Sequence, residues 1–382
     1  MVSEAGPRQG ENGAARIVLA HPRRPDESAH EAASQDELAR RIARLLGHPF
    51  LNEAEFGRLP HAARPYCVPA DTLTEDACRA DARLAGIRDE RDFFGGRVPH
   101  AFVATKAISH PLVDAQAAHP DGWSDRFGER VRVLTLRGYT AFSRADACRA
   151  GRALLEYGPV RLKPAEGKGG RGQRVLKNLS ALEAAIQECD LSELMRCGVV
   201  LEENLEDIRT YSIGQVRVGG ITASYVGTQT LTEDRLGQPA YGGSDLRFVR
   251  GPLPVLLASR LADDEHKAVA LAAAYDEAAS ECYPDLLASR RNYDVACGID
   301  GDGAIRFGVL EQSWRAGGAS MAEICALEAF QQDSALQAVR AFTCERYGET
   351  EVPGPPAQLV YRGDDEHEGP MVKYAGISSH DG

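Results

Sequence analysis

Tyr293-Asp294-Val295-Ala296-Cys297-Gly298-Ile299-Asp300-Gly301-Asp302-Gly303-Ala304-Ile305-Arg306-Phe307-Gly308-Val309-Leu310-Glu311-Gln312-Ser313 is the stretch on which the reading of this chain turns. Two short apolar runs flank a cluster of Asp and Gly, the pattern of a β-hairpin whose turn needs residues tolerant of positive φ. A turn at Asp302-Gly303 sets Asp294 opposite Glu311, whereas a turn at Asp300-Gly301 removes Asp294 from the pair. Directly opposed side chains have Cβ atoms about 5 Å apart, so two carboxylates there repel unless a cation joins them. Alternation puts Glu311 and Ser313 on one face, with Arg315 following at the same parity. An acidic, oxygen-rich face edged by a guanidinium suits magnesium, which takes few carboxylates and leaves positions for phosphate oxygens. Standing alone, such a hairpin is more simply a solvated surface turn, and the segments upstream are what raise it.

Working back, Val160-Arg161-Leu162-Lys163-Pro164 reads as a strand ending on a basic residue. The loop after it carries Gly167, Gly169, Gly170 and Gly172, and exposed N–H groups in a loop of this kind bind phosphate. Six basic residues face one acid between Arg161 and Lys177, in a chain of net charge -12. A local anion site accounts for that; a flexible solvated loop is the competing reading. Neither the P-loop spacing nor a GxGxxG fingerprint is present. Val199 to Leu205 is a buried strand running into acidic residues. Thr210 to Val218 and Gly220 to Thr228 alternate as an antiparallel pair, and Thr232 to Asp245 reads as a polar binding loop or lid. Upstream, Lys106 lies in an apolar setting as either a surface lysine or a phosphate ligand, and His100 and His110 beside it read as loop or packing histidines.

The remaining elements fill a layout of six parts. Residues 1–14 form a polar lead; 15–98 an N-terminal α/β subdomain with a helix from Gln35 to Leu46 stopped by Gly47; 99–136 a connecting region with a strand from Val131 to Leu136. Residues 137–205 form the glycine-rich lid, 206–347 the catalytic subdomain and 348–382 a tail. Further helices are expected over 75–84, 143–157, 180–189, 263–282 and 321–347.

A chain of 382 residues with 43% hydrophobic content and no apolar run of membrane length is globular, with no membrane role expected. Its negative charge argues against general nucleic-acid binding. Nine cysteines show neither CxxC nor zinc spacing and read as free thiols of a reducing cytoplasm. A homodimer is expected only as the commonest soluble arrangement.

Taken in order, these motifs resemble the ATP-grasp superfamily, which includes biotin carboxylases and D-alanine ligases, over residues 100–330. The chain also looks like a functionally uncharacterised bacterial ATP-grasp-like family. The resemblance implies an α+β ATP-grasp fold with ATP and Mg2+ between lid and sheet. It assigns Lys106, Lys163, Gly167, Lys168, Gly169, Gly170, Arg171 and Gly172 to the phosphates. Glu202, Glu203 and Leu205 fall at the adenine hinge, and Asp207 is the nearest acid to the ribose position, which Arg209 occupies. Asp294 and Glu311 match the metal motif, with Ser313 where the superfamily has Asn. Lys163 and Arg315 are the implied catalytic residues. Substrate contacts are expected from Gln229, Tyr241, Asp245, Arg247, Arg250 and Arg315. The implied activity is that of an ATP-dependent ligase, which activates a small-molecule carboxylate as an acylphosphate for attack by an amine or other nucleophile. A small-molecule kinase, a bicarbonate-using carboxylase and a non-catalytic nucleotide sensor stay open beside it.

Overall fold

The computed structural model describes residues 16–59, 64–167, 172–235, 237, 239–348, 351 and 354–379. It begins with a parallel sheet of β1 (Val18–Leu19), β2 (Phe50–Leu51) and β3 (Tyr66–Cys67), in the order β2-β1-β3. Between β1 and β2 runs α1 (Ala29–Leu46), started by a Ser28–Glu31 capping box and closed by Gly47 at φ 66°. Its apolar stripe, Leu38, Ile42 and Leu45, is buried. After α2 (Glu53–Phe56) and β4 (Leu73–Thr74) comes α3 (Glu75–Ala80), shorter than the alanine content suggests. Asp81 leaves the helix in an extended conformation and carries its carboxylate to His21 and Arg83.

The strand β5 (Gly96–Val98) brings this subdomain against the rest of the chain. A Cβ on Gly96 would lie 2.4 Å from the Cβ of buried Trp314, so only glycine permits that approach. The expected strand over Val131–Leu136 is instead the end of a helix, α4 (Asp125–Val131), followed by a turn. Phe127 and Val131 are fully buried one helical turn apart, and only Thr135 makes a bridge, to Val309.

Residues 138–203 contain an antiparallel sheet of β6 (Gly138–Ala141), β7 (Val160–Pro164), β8 (Arg174–Leu176) and β9 (Val199–Glu203), in the order β6-β9-β7-β8. The helices α5 (Arg144–Leu155) and α6 (Leu179–Gln187) cover one face, and α7 (Leu191–Cys197) leads into β9. Val160, Leu162, Val199 and Leu201 pack under Ala150, Leu154, Leu182 and Ile186. Alternation therefore turns Lys163 and Glu202 to the opposite face.

The largest sheet begins with β10 (Glu206–Val218), β11 (Ile221–Glu233) and β12 (Pro239–Arg250); the chain then forms α8 (Leu253–Leu257), α9 (Asp263–Cys282) and β13 (Leu287–Ala288), which pairs with β5 in a separate small sheet. It continues with β14 (Arg290–Ile299), β15 (Ile305–Ser313), α10 (Ser320–Gln332), β16 (Ala338–Tyr347), β17 (Gln358–Asp365) and β18 (Gly369–Ser379). Among the described residues its order is β15-β14-β10-β11-β12-β16-β18-β17, antiparallel throughout.

Three expectations fail here. The polar loop over Thr232–Asp245 is largely strand, because ladder hydrogen bonds need no apolar side chains and Glu233 pairs with Pro239. The helix over 321–347 ends at Gln332, and Val339, Ala341 and Thr343 then alternate into the sheet as buried residues. The tail supplies β17 and β18, anchored by buried Met371, Val372, Tyr374 and Ala375.

Helix α9 packs on Tyr211, Ile213, Val226 and Val295 on one side of the sheet. On the other side α10 packs on Val216, Tyr225, Leu246 and Phe248. Past the N-terminal end of α10, that second face carries polar residues.

Candidate active site

Asp294 and Glu311 are paired directly across β14 and β15. The route to that pairing differs from the simple count. The ladder nearest the turn pairs Ile299 with Ile305, which centres the turn on Asp302, with Gly303 at φ 81°. A bulge at Leu310 then shifts the register by one and restores the opposition of the two acids. Gln229 donates from Nε2 to Asp294 Oδ1 at 3.0 Å, and Lys106 Nζ lies 2.9 Å from Glu311 Oε2. Burial and then the Glu311 charge push the Asp294 carboxyl up to about 7, against the pull of Gln229, Arg290 and Lys106.

Two opposed carboxylates are donors of the kind a magnesium ion takes. Among the described residues no group of three or more His, Cys, Asp or Glu side chains gathers to hold a metal. Ser313 lies opposite Asn292, whose amide already donates to Ser212 Oγ at 2.7 Å and to the Ile213 carbonyl at 3.3 Å.

Lys106 opens a 3-10 turn over Lys106–Ser109, capped by Thr105 Oγ1 accepting from Ala107 N. It is buried, and its ammonium also donates to the Gly167 carbonyl at the root of the glycine-rich loop. Gln312, between Glu311 and Ser313 but pointing the other way, holds this turn by donating to the Thr105 and Val103 carbonyls at 2.6 and 3.1 Å.

On the face of the β6-β9-β7-β8 sheet away from α5 and α6, Lys163 is ion-paired with Glu202, whose second carboxylate oxygen is 3.2 Å from His110 Nε2. All three are buried. Burial alone would push the Glu202 carboxyl up; the Lys163 charge and the His110 hydrogen bond outweigh it and hold the group at about 2. Gly138 faces Glu202 across the ladder, and a Cβ there would lie 2.7 Å from the His110 ring. His110, read in the sequence as a loop or packing residue, is buried against Glu202. Its position four residues after Lys106 was the only sequence signal.

A depressed carboxyl stabilises the fold above its unfolded pKa near 4.5, and that contribution fades as pH falls toward 2. Its size is on the order of 3 kcal/mol. Glu202→Gln should remove it, flattening the acid limb of the stability profile measured by denaturant titration between pH 5 and 2.5. An unchanged acid limb would mean that Glu202 is not charged in the folded protein.

The other expected residues scatter. Gly167 and Gly172, the latter at φ 74°, flank Lys168, Gly169, Gly170 and Arg171, which lie outside the described residues. Glu203 Oε1 accepts from Arg137 N at 2.9 Å, and Leu205 is buried with Leu136 and Ala296. Asp207 sits at φ 50° in the irregular start of β10. Tyr241 packs its ring on Gly318 and bonds Ser244 Oγ and Thr343 Oγ1 at 2.7 and 2.9 Å. Ser244 pairs with Gln229, so Tyr241 borders the acid pair.

Asp245 and Arg247 alternate onto the opposite face, where Asp245 is 60% exposed and Arg247 donates to Ser259 Oγ at 3.1 Å. Arg250 lies at the far end of the sheet, donating to the carbonyls of Phe330 and Asp333 at the end of α10 and of Leu336 in the turn after it. The structure does not bring these three to the acid pair.

Arg315 does lie beside it, donating from Nη1 to the Ala316 carbonyl at 2.8 Å, with Nε 4.0 Å from Asp71 Oδ1. Burial lowers its guanidinium below the usual arginine range; Arg290 and Arg24 add to this, and Asp71 and Glu311 only partly offset it. Its loop is held by Arg290, which donates to the Ser313 and Arg315 carbonyls while ion-paired with buried Glu323 at 2.9 Å.

The sequence over residues 18–375 matches the profile of the family described as Protein of unknown function (DUF3182). The chain belongs to this family. No curated protein matches it. Solved structures similar to this DUF3182 chain include the Staphylococcus aureus N5-carboxyaminoimidazole synthetase complexed with ADP, at TM-score 0.53 and 10% identity, covering 95% of this chain and 93% of that one. A biotin carboxylase complex with β-γ-ATP from Campylobacter jejuni gives TM-score 0.51 at 14% identity, covering 96% and 88%. The biotin carboxylase domain of Hydrogenobacter thermophilus 2-oxoglutarate carboxylase, with MgADP, ADP and bicarbonate, gives 0.53 at 16%, covering 96% and 87%. The fold is that of the ATP-grasp superfamily.

Proposed function

We propose that the chain is an ATP-dependent ligase that activates a small-molecule carboxylate. The observation that carries this reading is the placement of Lys106, which reaches both Gly167 at the root of the glycine-rich loop and Glu311 of the acid pair. One buried cation thereby links the loop to the metal face, as a phosphate chain lying between them requires. In this reading Lys163 and Lys106 bind phosphate oxygens, and Arg315 stabilises charge on the transferred group. Asp294 and Glu311, with Ser313 beside them, would hold magnesium, which neutralises phosphate charge when bound.

A substrate carboxylate oxygen attacks the γ-phosphorus as the bond to the β-phosphate oxygen breaks, releasing ADP. An amine or other nucleophile then attacks the acyl carbon and phosphate leaves. The loop's part is to keep water from the acylphosphate. Among the described residues no helix is long and apolar enough to cross a membrane, and the nine thiols are free, which suits a reducing cytoplasm.

The test is ADP release from MgATP with paired acids and amines. Release that requires both partners is expected. A stable phosphorylated product formed without any nucleophile would replace the ligase reading with a kinase.

A further inference from the structure

Gln312 carries a side-chain amide into the core, where an amide without partners is costly and one with partners fixes geometry. Both of its amide hydrogens are used, on the Thr105 and Val103 carbonyls at 2.6 and 3.1 Å. Its Oε1 accepts from the hydroxyl of buried Tyr275, on α9, at 3.2 Å. With its one hydrogen given to Gln312, that hydroxyl accepts in turn from Ser109 Oγ at 2.9 Å. Burial, with Tyr283 and Glu311 adding and Ser109 opposing, holds the phenol well above its usual range, so it remains a donor. The ring of Tyr275 is packed edge-on against Phe127 at 5.2 Å.

Thr105 caps the entry of the Lys106–Ser109 turn and Ser109 closes it, so one amide and one phenol hold both ends. A short 3-10 turn has poor internal hydrogen bonds and takes its place from outside contacts of this kind. Gln312 follows Glu311 in the edge strand β15, and successive strand side chains face opposite ways. The strand therefore grips the Lys106 turn with one residue and meets the Lys106 ammonium with the residue before it, 2.9 Å away. Because the lysine side chain is flexible, the turn sets where its ammonium stands.

We propose that Gln312 and Tyr275 are positioning residues for Lys106, which set its ammonium between the glycine-rich loop and the acid pair and thereby tune affinity for the phosphates of a nucleotide. The phosphate part rests on the carboxylate-activating reading, and the positioning part does not. Both side chains lie on the α9 side of the sheet, away from Asp294 and Glu311, so they act through the lysine.

The test uses Gln312→Met, which removes the amide at similar volume, and Tyr275→Phe and Ser109→Ala, which each remove one hydroxyl. The first readout is acetylation of Lys106 by acetic anhydride, followed by mass spectrometry, with buried Lys163 as internal reference. Labelling of Lys106 relative to Lys163 should rise about tenfold in Tyr275→Phe and Gln312→Met. Ser109→Ala, the mildest change, should move it in the same direction by less. The second readout is calorimetric binding of MgATP, which should weaken about tenfold in Tyr275→Phe and Gln312→Met and lose that effect where Lys106→Met is already present. The proposal is overturned if the labelling ratio stays within about twofold of native in every folded variant, or if the weakening of MgATP persists undiminished beside Lys106→Met. Raised labelling with unchanged MgATP affinity would overturn it as well. Selective labelling of Lys106 in variants of a protein that binds no MgATP would uphold the positioning and refute the nucleotide reading, whereas MgATP binding with unchanged labelling would refute the positioning alone.

Discussion

Glu311→Gln is expected to lower turnover at least about 100-fold, the usual scale for losing one electrostatic contact made in the transition state. The substitution keeps the shape of the side chain and removes the charge that Lys106 meets at 2.9 Å. The change takes the counter-charge from buried Lys106 and relieves Asp294 of a like charge, so the unfolding midpoint of the variant is to be measured beside its activity. Loss of activity in a folded protein therefore reports on chemistry. The magnesium concentration needed for half-maximal rate should rise in parallel. Near-normal turnover at ordinary magnesium would remove Glu311 from the site.

Glu323→Gln carries the largest expected effect on stability. Glu323 is fully buried in the first turn of α10, accepts from Arg290 Nε at 3.0 Å and from the Tyr225 hydroxyl at 2.7 Å, and is ion-paired with Arg290 Nη2. Burial first, and then the Glu323 charge, hold the Tyr225 hydroxyl well above its usual range, so it stays protonated as donor. The amide leaves a guanidinium in the core without a counter-charge, at a cost of about 3–5 kcal/mol. Denaturant unfolding should show that loss as a lower midpoint at unchanged slope. A loss below about 1 kcal/mol would mean that Arg290 is satisfied by the Ser313 and Arg315 carbonyls alone.

The hairpin, the opposed acids and the strand ending on Lys163 were legible because each is a local pattern: apolar alternation broken by Asp and Gly, or a basic residue closing an apolar run. The bulge at Leu310 was not, since a register shift changes pairing without changing composition. The sequence count reached Asp294 opposite Glu311 because a three-residue turn and a one-residue bulge offset each other.

The partnerships that build the site join distant residues, such as His110 with Glu202, Arg290 with Glu323, and Gln312 with Tyr275. No spacing within one element signals them. Arg250 shows the converse: in sequence it resembled a substrate contact, yet its donors serve the carbonyls at the end of α10. The strands β17 and β18 were hidden by the Pro, Gly and Asp of their turns, although Met371, Val372, Tyr374 and Ala375 supply a buried anchor.

The central claim is that MgATP binds between the glycine-rich loop and the acid pair, and the melting temperature with and without MgATP tests it most directly. A ligand at about 100 times its dissociation constant stabilises by roughly 2.7 kcal/mol, a rise of a few degrees. The account predicts that rise in the native protein and its loss in Lys163→Ala, each variant being compared with its own nucleotide-free value. No rise at millimolar MgATP, or an equal rise in Lys163→Ala, would contradict it.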